Sequence, residues 1–380
     1  MSSLNNPASR SAVILAGGAG ERFWPLSRIR KPKQLLSIQG HQSMLLDSID
    51  RIVDTVDPRN TFVVTGSELR DAIVEETAGR IPAENILSEP ARRNTSAALA
   101  LAAAHLRHRF QGQDTLCAVL TADHAIRDTA AFCRDLERAF THAASTADLV
   151  TFGIKPTRPE TGFGYVETGA SVDPSSADQI FRAVSFREKP SPDTAREFLE
   201  TGRFLWNSGM FVWRNESLID EMKRHIPRTA AAVEAMERAL PSGDRAAFDL
   251  AFADTDALSI DYAVMERSHN VAVVAASFDW DDVGTWSSVA RLFAHDSQGN
   301  AVHGPGVAVD CENTLIYCHR TQSAGKPGDP APRRLIVGFK LEDLAIVETE
   351  DAILVLPMDQ VQGVKDVVAH LRKTGREEWL

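Results

Sequence analysis

AVILAGGAGERFWPLSRIRKPKQ, residues 12–34, joins a short apolar run to a glycine-rich turn and then to a cationic loop. Val13, Ile14 and Leu15 suit a strand buried in a parallel sheet, where both faces are covered and the sequence is continuously apolar. Gly17, Gly18 and Gly20 follow, and residues without Cβ let backbone N–H groups converge on a phosphate. From Arg22 to Lys33 there are five basic side chains and no acidic one, in a chain of formal net charge −11. Such a local inversion calls for an anionic ligand. Strand, glycine turn and cations together read as a polyphosphate cradle.

Two commoner glycine loops do not fit. A dinucleotide fingerprint needs a third glycine where Phe23 stands, and a Walker A loop needs a Gly-Lys-Ser/Thr ending that is absent. A turn that merely connects strand to helix would explain the glycines. It would not explain Arg22 or the Pro32-Lys33-Gln34 end.

The segment GGAGERFWPLSRIRKPKQ resembles the signature of the sugar-1-phosphate nucleotidylyltransferases, in the FWPLSR form of the mannose-1-phosphate guanylyltransferases among them. The resemblance implies a Rossmann-like α/β domain in which the loop, with Leu15, Ala16, Gly17, Gly18 and Gly20, wraps GTP. It also implies that Arg22 and Lys33 hold the nucleotide's phosphates.

With 380 residues and 43% hydrophobic content, the chain can build one large α/β domain and a smaller one. Its acidic balance, with a pI near 5.5, argues against nucleic acid or anionic membrane as the main partner. Cys117, Cys133, Cys311 and Cys318 form no C-x-x-C pair and no zinc spacing, which suits reduced packing thiols in the cytoplasm. No apolar run approaches the roughly 20 residues that span a bilayer, and no export or anchoring segment is expected.

Apolar runs alternate with helical patterns through residues 1–298, taken as the nucleotidyltransferase catalytic domain. Strands are expected at Thr61 to Thr65, Leu116 to Thr121, Leu149 to Ile154, Gly209 to Trp213 and Val271 to Ser277. Helices are expected at Thr95 to Arg109 and Ala130 to Ala147. The alternation implies a mixed, mainly parallel sheet with its ligand crevice at the strands' carboxyl ends. From 299 to 380 the texture changes to short β runs and a closing amphipathic helix, Gln360 to Arg372. This reads as a small β domain, and the resemblance implies a left-handed β-helix-like form. Residues 320–333, rich in glycine and proline, read as an exposed mobile loop.

Asp123 closes the apolar stretch of LCAVLTADH, and Asp282 comes after the apolar stretch of VAVVAASFDWDDVGTW. Mg²⁺ takes one or two carboxylates and completes its octahedron with water and phosphate oxygens, so two distant aspartates meeting in one crevice suffice. A lone strand-end Asp is equally explained as a cap or turn former. The resemblance assigns Asp123 and Asp282 as the metal pair; Asp279 and Asp281 are close neighbours, and the DVGTW context favours Asp282. His124 is left outside the metal site.

Lys189, in FREKP with Glu188, resembles the family lysine for the sugar phosphate; taken alone, such a pair is an ordinary surface feature. Asn207 and Ser208, and Gly164 and Tyr165, resemble the hexose-binding segments. An amide pairs with vicinal hydroxyls, and glycine lets a ring approach the backbone. For the base, a carboxylate at Glu89 can accept both N1–H and N2–H of guanine. Asn94 and Thr95, next to it in the family pattern, are alternatively caps of the alanine-rich helix.

The implied reaction is attack by a phosphate oxygen of mannose 1-phosphate on the α-phosphorus of GTP, with diphosphate leaving. A phosphate monoester, with a second pKa of about 6, is already largely dianionic at neutral pH and needs no general base. It needs relief from charge repulsion and in-line alignment, assigned to Mg²⁺, Arg22, Lys33 and Lys189. Within the class, another sugar phosphate such as a manno-heptose 1-phosphate, or another NTP, remains an alternative. From a different class, a catalytically silent subunit that binds nucleotide sugars would not need this full set. A fused phosphomannose isomerase domain is not expected, since the chain ends early and lacks clustered histidines. A homodimer is compatible with the sequence but not decided by it.

Overall fold

The computed structural model describes residues 9–18, 20–38, 40, 42–172, 179–319 and 334–380. The loop expected at 320–333 lies outside the described residues. The chain divides into two compact units: residues 1–17, 46–122 and 126–280, and residues 18–45, 123–125 and 281–380.

The first unit is built on a nine-stranded sheet. Its strands are Arg10–Leu15 (β1), Thr61–Gly66 (β2), Ile86–Glu89 (β3), Leu116–Thr121 (β4), Leu149–Ile154 (β5), Gly164–Ser171 (β6), Ile180–Glu188 (β7), Phe204–Arg214 (β8) and Val271–Ala275 (β9). Their order is β3-β2-β1-β4-β8-β5-β9-β7-β6, with β8 also pairing β6. The pairings among β3, β2, β1 and β4 are parallel, as is β5 with β9. Residues 12–14 of β1 are fully buried, as a strand covered on both faces requires.

The expected predominance of parallel pairing is corrected here. β8 enters antiparallel between β4 and β5, and β6 and β7 pair antiparallel with each other and with their neighbours. The polar, half-exposed β6 and β7 carry no long apolar run, so their pairing left little trace in the sequence. Helix Asn94–Arg109 is buried on nearly every side, and its alanines let it pack closely against helix Pro227–Ala239. Helix Thr129–Ser145 is capped by Asp128, which accepts the Ala131 N–H at 2.9 Å, and buries Phe132, Leu136 and Phe140 on one face.

In the second unit, Ala301–His303 (β10), Gly306–Val309 (β11), Leu315–Cys318 (β12), Ile336–Phe339 (β13), Leu344–Glu348 (β14) and Ile353–Pro357 (β15) make two sheets. β10, β12 and β14 run parallel and in register, β15 closes that sheet antiparallel, and β11 pairs parallel with β13. Phe23, Trp24, Leu36, Trp286, Tyr317, Val347 and Val364 share one core. Its polar ring atoms are satisfied: Trp24 Nε1–H donates to the Trp379 carbonyl at 2.7 Å, and Trp286 Nε1–H to the Trp24 carbonyl at 3.2 Å. The Trp24–Pro25 peptide is cis. The closing helix starts at Val364, later than expected, after a 3₁₀ turn that ends on the poor helix former Gly363.

Candidate active site

Within the second unit, Lys33 organises the acidic cluster. Its side chain is 8% exposed, and its ammonium donates to Asp123 Oδ2 at 2.9 Å and to the Asp282 carbonyl at 2.7 Å. Backbone bonds tie the same segments: Ala125 N–H donates to the Asp281 carbonyl at 2.9 Å, and Asp281 N–H to the Ala125 carbonyl at 3.1 Å. Asp123 and Asp282, remote in sequence, are thereby brought together. Burial pushes the Asp123 carboxyl up, but the charges of Lys33 and His124 and the Lys33 hydrogen bond outweigh it and hold the group below its usual range.

The approach of Lys33 depends on Gly20. That residue has φ 61°, and a Cβ there would lie 2.7 Å from Lys33 N. Its carbonyl accepts from Phe23 N–H at 2.9 Å and Ser27 Oγ–H at 2.8 Å, which folds the basic loop back on itself. Arg22 is exposed and makes no ion pair among the described residues, so its guanidinium is available to an anion.

Asp281 and Asp282 are separated by their surroundings. Asp281 Oδ1 accepts Val283 N–H at 2.8 Å and its Oδ2 pairs with Arg291 at 2.8 Å, holding buried Val283 at φ 47°. The Asp282 carboxylate occupies the space that Gly284 leaves, where a Cβ would meet its Oδ2 at 2.6 Å. Asp279 is bound to Arg127 and to the N–H groups of residues 127 and 128. An ionised Asp123 and an Asp282 given room by a glycine are hard oxygen donors, a chemistry suited to a divalent cation. Among the described residues, no cluster of three or more His, Cys, Asp or Glu is placed to hold a metal.

In the first unit, β1 delivers Leu15 and Ala16 to its carboxyl end. The Leu15 carbonyl accepts Ala122 N–H at 3.1 Å, Ala16 N–H donates to the Val64 carbonyl at 2.9 Å, and Gly17 is exposed. Gly18, in the second unit, is also exposed. Glu89 ends β3, beside the end of β2 where Glu68 pairs with Arg92 at 2.6 Å. Burial and the neighbouring Glu68 push Glu89 up to about 7, against the opposing pull of Arg92. Asn94 opens its helix at φ 66°, and Thr95 Oγ1 accepts Ile260 N–H at 2.8 Å.

Glu188 ends β7 and Lys189 follows it at φ 48°; Lys189 Nζ, more than half exposed, lies 3.3 Å from Glu188 Oε1. Burial raises Glu188 above its usual range against the opposing charge and hydrogen bond of Lys189. Gly164, its register partner, leaves space for that carboxylate: a Cβ there would lie 2.5 Å from Glu188 Oε2. Tyr165 is fully buried and its hydroxyl donates to the Glu160 carbonyl at 2.9 Å. Asn207 and Ser208 lie in β8, 8% and 2% exposed, and Ser208 Oγ accepts Met210 N–H at 3.3 Å.

Residues 11–299 match the model of the nucleotidyl transferase family. The chain belongs to the nucleotidyl transferase family. Among curated relatives, the xanthan biosynthesis protein XanB of Xanthomonas campestris pv. campestris (strain B100) is 40% identical over 96% of this chain and 74% of its own length. The mannose-1-phosphate guanylyltransferase of Escherichia coli (strain K12) is 37% identical over the same shares, 96% and 74%. A solved structure from Thermus thermophilus, described as a mannose-1-phosphate geranyltransferase, is 31% identical and covers 96% of this chain and 99% of its own, with a TM-score of 0.82.

One group in this nucleotidyl transferase escaped the sequence reading. Asp261, at the start of the π-helical turn Asp261–Met265, accepts Asn207 Nδ2–H at 2.9 Å. Burial and the nearby Glu188 push its carboxyl up to about 6. The available signal was a single carboxylate inside the apolar run LSIDYAVM, a placement that costs free energy unless a partner is supplied. No helix among the described residues is long and apolar enough to cross a membrane.

Proposed function

We propose that the protein transfers a guanylyl group from GTP to mannose 1-phosphate, releasing diphosphate and forming GDP-mannose. The observation that carries this is Lys33, which spans the Asp123 carboxylate and the Asp282 backbone at the end of a glycine loop. Names of relatives matching 96% of the chain support the choice of substrates. Lys33 and Arg22 stabilise the GTP phosphates, with Leu15, Ala16, Gly17, Gly18 and Gly20 lining the loop. Glu89 reads guanine, with Asn94 and Thr95 beside it. Lys189 takes the phosphate of the acceptor, and Glu188, Asn207, Ser208, Gly164 and Tyr165 form the sugar side. Asp123 and Asp282 would hold Mg²⁺, which when bound neutralises phosphate charge. The acceptor phosphate, already dianionic, attacks in line once Arg22, Lys33 and Lys189 offset the repulsion between it and the triphosphate.

All these residues fall within 1–298, the proposed catalytic domain. For 299–380 we infer a short left-handed β-helix-like stack, supported by the in-register parallel pairing of β10, β12 and β14. The cysteine spacing, with no C-x-x-C pair and no zinc pattern, supports a reducing, cytoplasmic setting. The deciding assay is diphosphate release with each NTP crossed against mannose, glucose and heptose 1-phosphates, with and without Mg²⁺. Preferential use of another pair would replace the substrates named here.

Two variants test individual roles. Lys189→Ala should lower kcat/KM for mannose 1-phosphate by about 10- to 150-fold, the effect of losing one charge-assisted contact, while the KM for GTP changes little. Equal losses for both substrates would move Lys189 off the acceptor phosphate. For Glu89, the sign of the pH effect follows from its raised pKa of about 7. Guanine presents two donors and selects the ionised carboxylate, so GTP binding weakens as pH falls through that value. Glu89→Gln should lose this component of the pH dependence and raise ATP use relative to GTP. An unchanged GTP-to-ATP ratio would place base recognition elsewhere.

A further inference from the structure

We propose that Asp261 is a positioning residue for the acceptor sugar phosphate, acting by fixing the direction of the Asn207 amide. The ground for this is the assignment of Asn207 to the sugar side made above. Asn207 Oδ1 accepts from Thr151 Oγ1–H at 2.9 Å and from Gly209 N–H at 3.3 Å, and its Nδ2 donates to Asp261 Oδ1 at 2.9 Å. A carboxamide has two acceptor lone pairs on oxygen and two N–H donors. Both lone pairs and one N–H are therefore used internally. The remaining N–H is what Asn207 offers a ligand, so it presents a donor to a hydroxyl or phosphate oxygen and never an acceptor. An amide's two ends are nearly the same shape, and only its partners decide which way it points. An ionised Asp261 accepts and cannot donate, which excludes the flipped amide.

Asp261 is itself held from the nucleotide side of the same unit. The preceding residue, Ile260, donates its N–H to Thr95 Oγ1 at 2.8 Å, and Ser96 N–H and Oγ–H both donate to the Leu258 carbonyl, at 3.1 and 2.7 Å. A continuous chain of bonds thus runs from the start of helix Asn94–Arg109 through Ile260 and Asp261 to Asn207. The turn is π-helical, a geometry frequent at functional sites.

The test compares Asp261→Ala, Asp261→Asn, Asn207→Ala and the exchange Asn207→Asp/Asp261→Asn, reading kcat, the KM for each substrate and the melting temperature. Asp261→Ala should raise the KM for mannose 1-phosphate about tenfold or more, with the GTP KM within about twofold, because the amide is released to rotate. Asp261→Asn, whose Oδ1 can still accept from Asn207 but whose amide can also donate to a flipped one, should restore only part of that loss. In the exchange, the residue at 261 donates and the residue at 207 accepts, so the internal bonds survive while the ligand-facing N–H is gone; the KM should rise with the melting temperature retained. If Asp261→Ala leaves the mannose 1-phosphate KM unchanged while Asn207→Ala raises it, Asp261 does not position Asn207, although Asn207 still binds the sugar phosphate. If Asn207→Ala also has no effect, the assignment of Asn207 falls and this inference with it. Should Asp261→Ala fail to fold, the exchange decides, and a wild-type KM there overturns the inference.

Discussion

Asp123→Asn and Asp282→Asn are each expected to cut diphosphate release by about a hundredfold or more while leaving the protein folded. Each substitution preserves shape and removes one unit of negative charge from a pair of hard oxygen donors. Residual turnover should demand far more Mg²⁺, since a magnesium site of one or two carboxylates loses much of its affinity when one becomes an amide. Asp281→Asn is the control. Its carboxylate is committed to Val283 N–H and Arg291, so its loss should loosen the local loop and lower stability modestly without a shift in the Mg²⁺ requirement. Titrating Mg²⁺ against rate for the three variants is decisive: a larger requirement in Asp281→Asn than in Asp282→Asn would exchange their roles.

Lys33→Met should be nearly as damaging, for a different reason. Methionine keeps much of the buried stem but leaves Asp123 without the ammonium 2.9 Å away. Removing one partner of a buried pair is costly, and because Asp123 is 34% exposed the destabilisation should be about 1–2 kcal/mol rather than the full buried value. The rate should fall about a hundredfold through loss of charge on the triphosphate. The pH profile separates these effects. In the wild type, Lys33 and His124 hold the Asp123 carboxyl low against burial. Without Lys33, burial gains the upper hand, the carboxyl titrates at higher pH, and the acid limb of the rate profile moves up. An unmoved acid limb would mean that ionisation of Asp123 does not limit the reaction.

The local elements could be read along the chain. β1, the glycine turn and the basic loop are contiguous, and their chemistry is legible because continuous burial, missing Cβ atoms and a local excess of positive charge are properties of neighbouring residues. Strands β2, β4 and β5 and helices Asn94–Arg109 and Thr129–Ser145 were equally legible, since apolar runs and helical periodicity register burial directly. The nucleotidyl transferase family followed from those contiguous motifs. Partnership, by contrast, came from the folded arrangement alone. Nothing along the chain announces that Lys33 meets Asp123 and the Asp282 carbonyl, 90 and 249 residues away, that Asp281 is taken by Arg291, or that Asp261 turns the amide of Asn207. Nor does it announce that β8 enters the sheet antiparallel. Periodicity records which face of an element is buried, whereas hydrogen bonds and ion pairs depend on which element lies opposite and in what register. In this protein that register places an ammonium between two acidic segments and a carboxylate behind an amide.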